Sequence, residues 1–372
     1  MLMGDKRRFW IGFNRVQGIG AARLRLLLDA FGDIETAWGA GEADLLETGL
    51  GKAFVRAIVK ARENLDLGRE LARIDELGFQ ALTWEDEDYP ERLREIALPP
   101  PVLYVWGKIK AEDRWAAAVV GTRKPTGYGK LVVEEVSAGL AASGVTVVSG
   151  LARGIDGMAH RGALEAGGRT IAVLGSGLDR IYPPEHRKLA DEIVGSGAII
   201  TDYPLGTAPE ARNFPPRNRI ISGMALAVVI VEAGEGSGAL ITADFAVNQG
   251  REVFAVPGSI FSSASRGTLN MIRDGANPLT SVGDVLEALN MEAVIRHEQA
   301  SRELPEDAVE RKLLEVLKGD PVHIDDLHAQ SGLPVSRVTA ALAMLELKGR
   351  VRQVGGMQFV RTREIGPGYK VE

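Results

Sequence analysis

Four apolar runs in the middle of this chain each end in a glycine-bearing loop, and that recurrence leaves few folds open. AAAVVGTR spans 116–123, VTVVSG 145–150, TIAVLGSG 170–177 and LAVVIVEAG 226–234. Each run has strand length and little polar alternation. The residues after the first, 127–142, have amphipathic helical spacing. Near-continuous Val/Ile/Ala strands joined by helices describe a parallel sheet covered on both faces. GAIITDYP (197–204) and EVFAVPG (252–258) extend the series, and NPLTS (277–281) offers a short last strand. The expected fold is α/β: an extended Rossmann-like, doubly wound, mostly parallel sheet. Ligands of such sheets lie outside the carboxyl ends of the strands, so the glycine loops form one ligand-facing rim.

The flanks read differently. Residues 9–83 look helical, and VQGIGAARLRLLLDAF (16–31) and LLETGLGKAFVRAIVKAR (45–62) each pair a glycine hairpin with an amphipathic helix. That is a SAM-like or helix-hairpin-helix arrangement, in which hairpin amides approach a DNA phosphate, or a small bundle whose glycines cap helices. From 78 to 107 a proline-containing linker leads to an extra strand at 102–106, with Trp84, Tyr89 and Trp106 expected to pack at a junction. After the sheet, SGLPVSRVTAALAMLELKG has helix-turn-helix rhythm around Gly332, and VRQVGGMQFV forms a hairpin around Gly355 and Gly356. This is a winged-helix pattern, with Ser336, Arg337 and Thr339 placed to face a groove or a protein. The chain thus divides into a helical domain (1–80), the sheet domain (81–290), a linker (291–306), a winged helix (307–363) and a tail (364–372).

The rim fails the common nucleotide motifs. A phosphate loop of the G-x-x-x-x-G-K-[ST] type needs glycine where Lys124 stands and a hydroxyl where Leu131 stands. A dinucleotide fingerprint needs glycine where Gly175-Ser176-Gly177 runs on to Arg180. The chain has no cysteine, which removes disulfides, zinc–thiolate sites and cysteine nucleophiles and suits a reducing cytoplasm. Asp156 and His160, four residues apart on a helix, read as a cap and a hydrogen-bonded structural partner. Glu232, at a strand end, reads as a general base or, in preference, as the holder of a neighbouring arginine. No catalytic residue, metal or cofactor is expected, and no apolar run is long enough to span a membrane.

What the rim does hold is cations among glycines. Arg123 and Lys124 follow Gly121 and Thr122, Arg153 follows Gly150, Arg180 follows Gly175 and Gly177, and Arg217 precedes a helix. Gly236, Ser237 and Gly238 close the set. Guanidinium forks and unhindered amides suit the successive phosphates of an extended strand. Arg219 reads instead as structural. The net charge of −6 requires any positive field to be local.

VVGTRKPTGYG, SGLARGIDGMAH, TIAVLGSGLDRIYPPEHRKL, FPPRNRIISGMA and VVIVEAGEGSGALITADFAVNQGREVFAVPG, with the later GTLNMIRDGA, resemble the DNA-processing protein A family (DprA, also called Smf). The resemblance implies a cytoplasmic bacterial protein that binds single-stranded DNA and loads the RecA recombinase onto it during natural transformation. It implies a dimerising Rossmann-like core and no turnover. Arg123, carried with Gly121 and Thr122, matches the family's DNA-contacting arginine, and Arg187 or Lys188 stands where a second basic contact near His186 belongs. Two other readings remain at this point: a nucleotide-processing enzyme of the phosphoribohydrolase type, and a regulator acting through the winged helix.

Overall fold

The computed structural model describes residues 5–289, 308–317, 322–347 and 351–361. The expected linker 291–306 and tail 364–372 lie outside the described residues. Two compact units divide after Leu289.

The first unit opens with six helices: α1 (Arg7–Arg15), α2 (Ala21–Phe31), α3 (Ile34–Gly39), α4 (Glu42–Glu47), α5 (Lys52–Asn64) and α6 (Leu67–Glu76). The two glycine hairpins match in detail. Gly18 and Gly49 take φ of 88° and 85°, open to glycine at no steric cost, and the Ile19 and Leu50 that follow are both buried. The next turns bury Leu24 and Leu27 on α2 and Val55 and Ile58 on α5, the spacing of one helical face.

The change of architecture near residue 80 falls inside one compact unit. The Tyr104 hydroxyl donates to Asn14 Oδ1 at 3.0 Å, Asn14 Nδ2 donates to the Asp202 carbonyl, and Arg15 donates to the Leu205 carbonyl at 2.9 Å. Trp84 packs edge-on against Trp10 at 5.4 Å and Trp106 against Phe79 at 5.7 Å, while buried Tyr89 donates to the Pro100 carbonyl. Trp84 and Trp106 have the junction role expected of them, whereas Tyr89 packs within the sheet side of the unit.

The sheet contains β1 (Gln80–Thr83), β2 (Val102–Gly107), β3 (Ala116–Val120), β4 (Thr146–Ser149), β5 (Thr170–Val173), β6 (Ala198–Thr201), β7 (Ala227–Ile230), β8 (Glu252–Ala255) and β9 (Asn277–Pro278). Its order is β1-β2-β6-β5-β4-β3-β7-β8-β9. β1 was expected to be helical. It is instead an edge strand antiparallel to β2, which runs antiparallel to β6, and all other neighbours are parallel. Its four residues carry no helical period strong enough to resist pairing with an available edge. Helices α7 (Glu91–Arg94), α8 (Gly127–Ala142), α9 (Ile155–Glu165), α10 (Arg187–Ser196), α11 (Phe214–Met224), α12 (Gly238–Asn248), α13 (Arg266–Arg273) and α14 (Val282–Ala288) complete the unit.

Strands β3 to β7 are buried throughout, as a sheet covered on both faces requires. The chain walks outward from β3 through β4, β5 and β6, then returns to place β7 on the other side of β3. The switch point therefore opens between the carboxyl ends of β3 and β7.

The second unit contains α15 (Ala308–Val316), β10 (Val322–His323), α16 (Ile324–Ser331), α17 (Val335–Leu347), β11 (Val351–Gly355) and β12 (Gln358–Arg361). Leu313, Leu327, Val338, Leu342 and Leu345 pack its core. Gly332 ends α16 in the left-handed conformation, making the expected turn, and Ser336, Arg337 and Thr339 are exposed on α17.

Candidate nucleic-acid interface

A groove of about 750 Å³ occupies the switch point. One wall is the loop after β3. The Thr122 amide donates to the Glu232 carbonyl at 2.8 Å, and the Ile155 amide donates to the Thr122 carbonyl at 3.2 Å. A Cβ on Gly121 would lie 2.7 Å from Ile155, and one on Gly154 would lie 2.4 Å from the Thr122 carbonyl oxygen, so glycine is needed for these segments to meet. Further along, Thr126 caps α8 by accepting from the Gly129 amide at 3.1 Å. The buried Glu232 carboxylate accepts from the Thr126 amide at 2.9 Å and from its hydroxyl at 2.5 Å. Both ends of the loop are thus fastened, and the exposed Arg123 and Lys124 lie between the fastenings. Glu232 does not hold an arginine, as expected from its position; it holds the cap of α8. With both oxygens bound and only 3% of its surface exposed, it has no access to a substrate.

The opposite wall is α11 and the chain before it. The Phe214 ring lies 5.6 Å below the Arg123 guanidinium and 5.8 Å from the Tyr182 ring, and Arg153 lies 5.9 Å above Tyr182. Cations over aromatic faces hold both partners in place while leaving ring edges open to the groove. Neither ring was expected at the site from the residues alone. A signal was present: Tyr182-Pro183-Pro184 and Phe214-Pro215-Pro216 repeat one tripeptide pattern at the two places where the chain enters the groove.

The floor is polar and buried. Arg217, expected as a free cation for the ligand, is only 3% exposed. It donates to the Gly150 carbonyl at 2.9 Å and to the Val173 carbonyl, tying β4 to β5. Burial draws its pKa down to about 10, against the opposing pull of Asp156. Burial also raises the Asp156 pKa, while Arg217 and the amides of Ala152, Gly121 and Gly150 hold it back. Arg217 and Asp156 therefore shape the floor and set its charge.

The other expected contacts separate into two groups. Gly121, Thr122, Arg123, Lys124, Ser237 and Gly238 line the groove, as do Asn218 and Thr242, which the sequence reading did not single out. Ser237 caps α12, and the Gly238 carbonyl accepts from Asn218. The remainder do not line it. The Gly150 amide is turned to Asp156 at 3.2 Å and the Gly177 amide to the Thr207 carbonyl at 3.0 Å, so neither is an open donor. A Cβ on Gly175 would lie 3.0 Å from the Phe214 ring, so that glycine makes room for the aromatic wall. Gly236 supplies a turn at φ 76°.

Arg180 is exposed, but its loop turns toward the N-terminal helices, where Asp179 pairs with Arg73 at 3.3 Å. Arg187 pairs with Asp191 at 3.5 Å and covers Trp106 on β2, and Lys188 beside it is exposed outside the groove. Arg153 stands at the rim, paired with Glu185. Arg219, read as structural, pairs with Asp202 at 2.8 Å.

His160 and His186 are scaffold. The Thr170 hydroxyl donates to the Val147 carbonyl at 2.7 Å, so its oxygen accepts from His160 Nδ1 at 2.6 Å. Complete burial depresses the His160 pKa to about 3, which keeps the ring neutral. His186 is held at the Leu151 carbonyl, 3.0 Å away. Among the described residues there is no group of three or more side chains able to hold a metal, and no helix is long and apolar enough to cross a membrane.

Comparison with known proteins gives a consistent result. The model of the family described as DNA recombination-mediator protein A matches residues 80–290, and that of the DprA winged helix domain matches 297–357. Protein Smf of Synechocystis sp. is 36% identical over 397 aligned residues, covering 97% of this chain and all of that protein. The X-ray structure of DNA processing protein A from Streptococcus pneumoniae superposes with a TM-score of 0.67 at 32% identity, covering 77% of this chain and 98% of that one. DNA processing protein A from Helicobacter pylori, whose structure is described for its single-stranded DNA binding mode, gives 0.52 at 29% identity over 57% of this chain and 96% of that one.

Proposed function

The chain belongs to the DNA recombination-mediator protein A family, and from that premise we propose that it binds single-stranded DNA in the switch-point groove and loads RecA onto the bound strand. The observation that carries the reading is Arg123. It stands on a loop fastened at both ends, over the Phe214 ring, and has no carboxylate partner among the described residues. A guanidinium held there meets a phosphate, while Phe214 and Tyr182 offer faces or edges to bases. Phosphate contacts plus aromatic stacking are how single strands are held without sequence preference. A duplex buries its bases and cannot use the aromatic wall.

The mediator's work is binding, not bond-making. The phosphoribohydrolase alternative needs an accessible carboxylate in the groove; Glu232 is occupied by Thr126, and Asp156, on the floor, is buried and accepts from the Gly150 amide. The regulator alternative leaves the groove without a role. We place the protein in the cytoplasm as a homodimer formed through the first unit.

The test is Arg123→Ala. A hydrogen bond to a charged group contributes about 1.5–3 kcal/mol, so affinity for a labelled oligothymidylate falls about tenfold or more. RecA nucleation on strands coated with single-strand-binding protein falls with it. Undiminished binding by a folded variant refutes the groove assignment. Lost binding with intact RecA nucleation refutes the loading step.

A further inference from the structure

The groove's two exposed rim arginines each lie over an aromatic ring and differ in whether a carboxylate holds them. Arg123, Phe214, Tyr182 and Arg153 form a row, two rings between two guanidinium groups, with successive separations of 5.6, 5.8 and 5.9 Å. At one end Arg123 is unpaired among the described residues. At the other, Arg153 Nε lies 2.5 Å from Glu185 Oε1. The cation that would extend the phosphate track past Tyr182 is therefore already matched by a carboxylate.

Glu185 is well placed to do this and little else. It sits in a single 3-10 turn, Pro184–His186, whose last residue is buried and anchored to the Leu151 carbonyl. The backbone is thus fixed while the Glu185 side chain remains half exposed. Arg153 is equally exposed, at 53% against 50%. An ion pair this open to water is weak and easily exchanged, and it contributes little to folding. A phosphodiester offers a guanidinium fork a pair of anionic oxygens, as a carboxylate does, so the two can exchange on Arg153.

We infer that Glu185 is an internal competitor for the DNA strand: it occupies Arg153 in the free protein, and a strand passing Tyr182 takes its place. This rests on the groove reading above. It makes Arg153 a phosphate-contacting residue whose contribution is discounted by the pair it must give up. It also makes Glu185 a brake on affinity.

Glu185→Gln tests it directly, because the side chain is exposed and the variant keeps its shape. Affinity for a labelled oligothymidylate is expected to rise several-fold at low salt. The slope of log affinity against log salt should steepen by up to about 0.7, because the wild-type complex leaves the displaced Glu185 carboxylate to take up a cation and the variant does not. Arg153→Ala should cost only a few-fold in the wild-type protein and about tenfold in the Glu185→Gln background, a coupling that a purely structural pair would not produce. An unchanged slope, or weaker binding by Glu185→Gln, overturns the inference; weaker binding would mean that Glu185 aims Arg153 at the strand. Arg123→Ala, measured in parallel, separates the two levels. If it weakens binding while Glu185→Gln is silent, the groove reading stands and the competitor falls. If Arg123→Ala is itself silent, both fall.

Discussion

The loop after β3 and the loop after β5 are written in nearly the same residues, an apolar strand, then glycine, then arginine within a few positions. They do different things. The first is tied at Thr122 and Thr126 to the two ends of Glu232 and holds Arg123 over Phe214 at the groove. The second turns its Gly177 amide inward to Thr207, joins the N-terminal helices through Asp179 and Arg73, and leaves Arg180 exposed outside the groove. A glycine loop at a strand end becomes a binding element only when its neighbours leave its cations facing the switch point. Here the strand order decides that, because β7 brings Glu232 beside the first loop, whereas the second is tied through Gly177 and Asp179 to residues 206 and 207 after β6.

The largest test of this contrast removes the fastening and leaves the contact in place. Glu232→Ala leaves the Thr126 amide and hydroxyl without their buried acceptor, at a cost of about 1–3 kcal/mol for each group so stranded. A clear drop in melting temperature is expected, together with weaker DNA binding although Glu232 touches no ligand. A stable variant with full affinity would show that the fastening is irrelevant.

Phe214→Ala probes the wall that the first loop faces. Stacking of a base on an aromatic side chain contributes about 1–3 kcal/mol, so single-strand affinity falls roughly tenfold while weak duplex binding hardly changes. Equal losses on both substrates would make Phe214 a support for Arg123 and not a stacking surface.

A smaller effect reports the scaffold beneath both loops. The folded pKa of His160 is depressed to about 3, below its unfolded value of about 6.5, so the unfolded chain binds a proton that the native protein refuses. Stability should therefore fall as pH drops below about 6.5, approaching about 1.4 kcal/mol per pH unit from this group. Urea melts at neutral and mildly acidic pH check this, and His160→Asn should flatten the dependence. Last and smallest, Arg180→Ala should change single-strand affinity by less than about twofold, since an exposed cation outside the groove acts only through screened charge. A loss matching that of Arg123→Ala would erase the contrast between the loops.

Much of this was open to a reading of residues. The strands announced themselves because strands covered on both faces have no polar alternation, and the junction tryptophans and Gly332 were placed correctly for similar local reasons. Strand β1 escaped because an edge strand of four residues has too few positions to show a period. Tyr182 and Phe214 escaped because stacking is a relation between distant segments, here 32 positions apart in the chain. Arg217 was misjudged because nothing local distinguishes an arginine that reaches a ligand from one that reaches two backbone carbonyls.

The sequence by itself determined the class of sheet, the edge at which the glycine loops gather and the abundance of cations there, since these follow from periodicity and from where glycine interrupts it. Only the tertiary structure decided which cations remain available. Each arginine pairs with whatever acceptor the strand order delivers: Glu185 for Arg153, the Gly150 and Val173 carbonyls for Arg217, Asp191 for Arg187, and the face of Phe214 for Arg123. Those partners are remote in sequence for all but Arg187. A guanidinium's freedom is set by the acceptors within a few ångströms of it, and the fold alone supplies them.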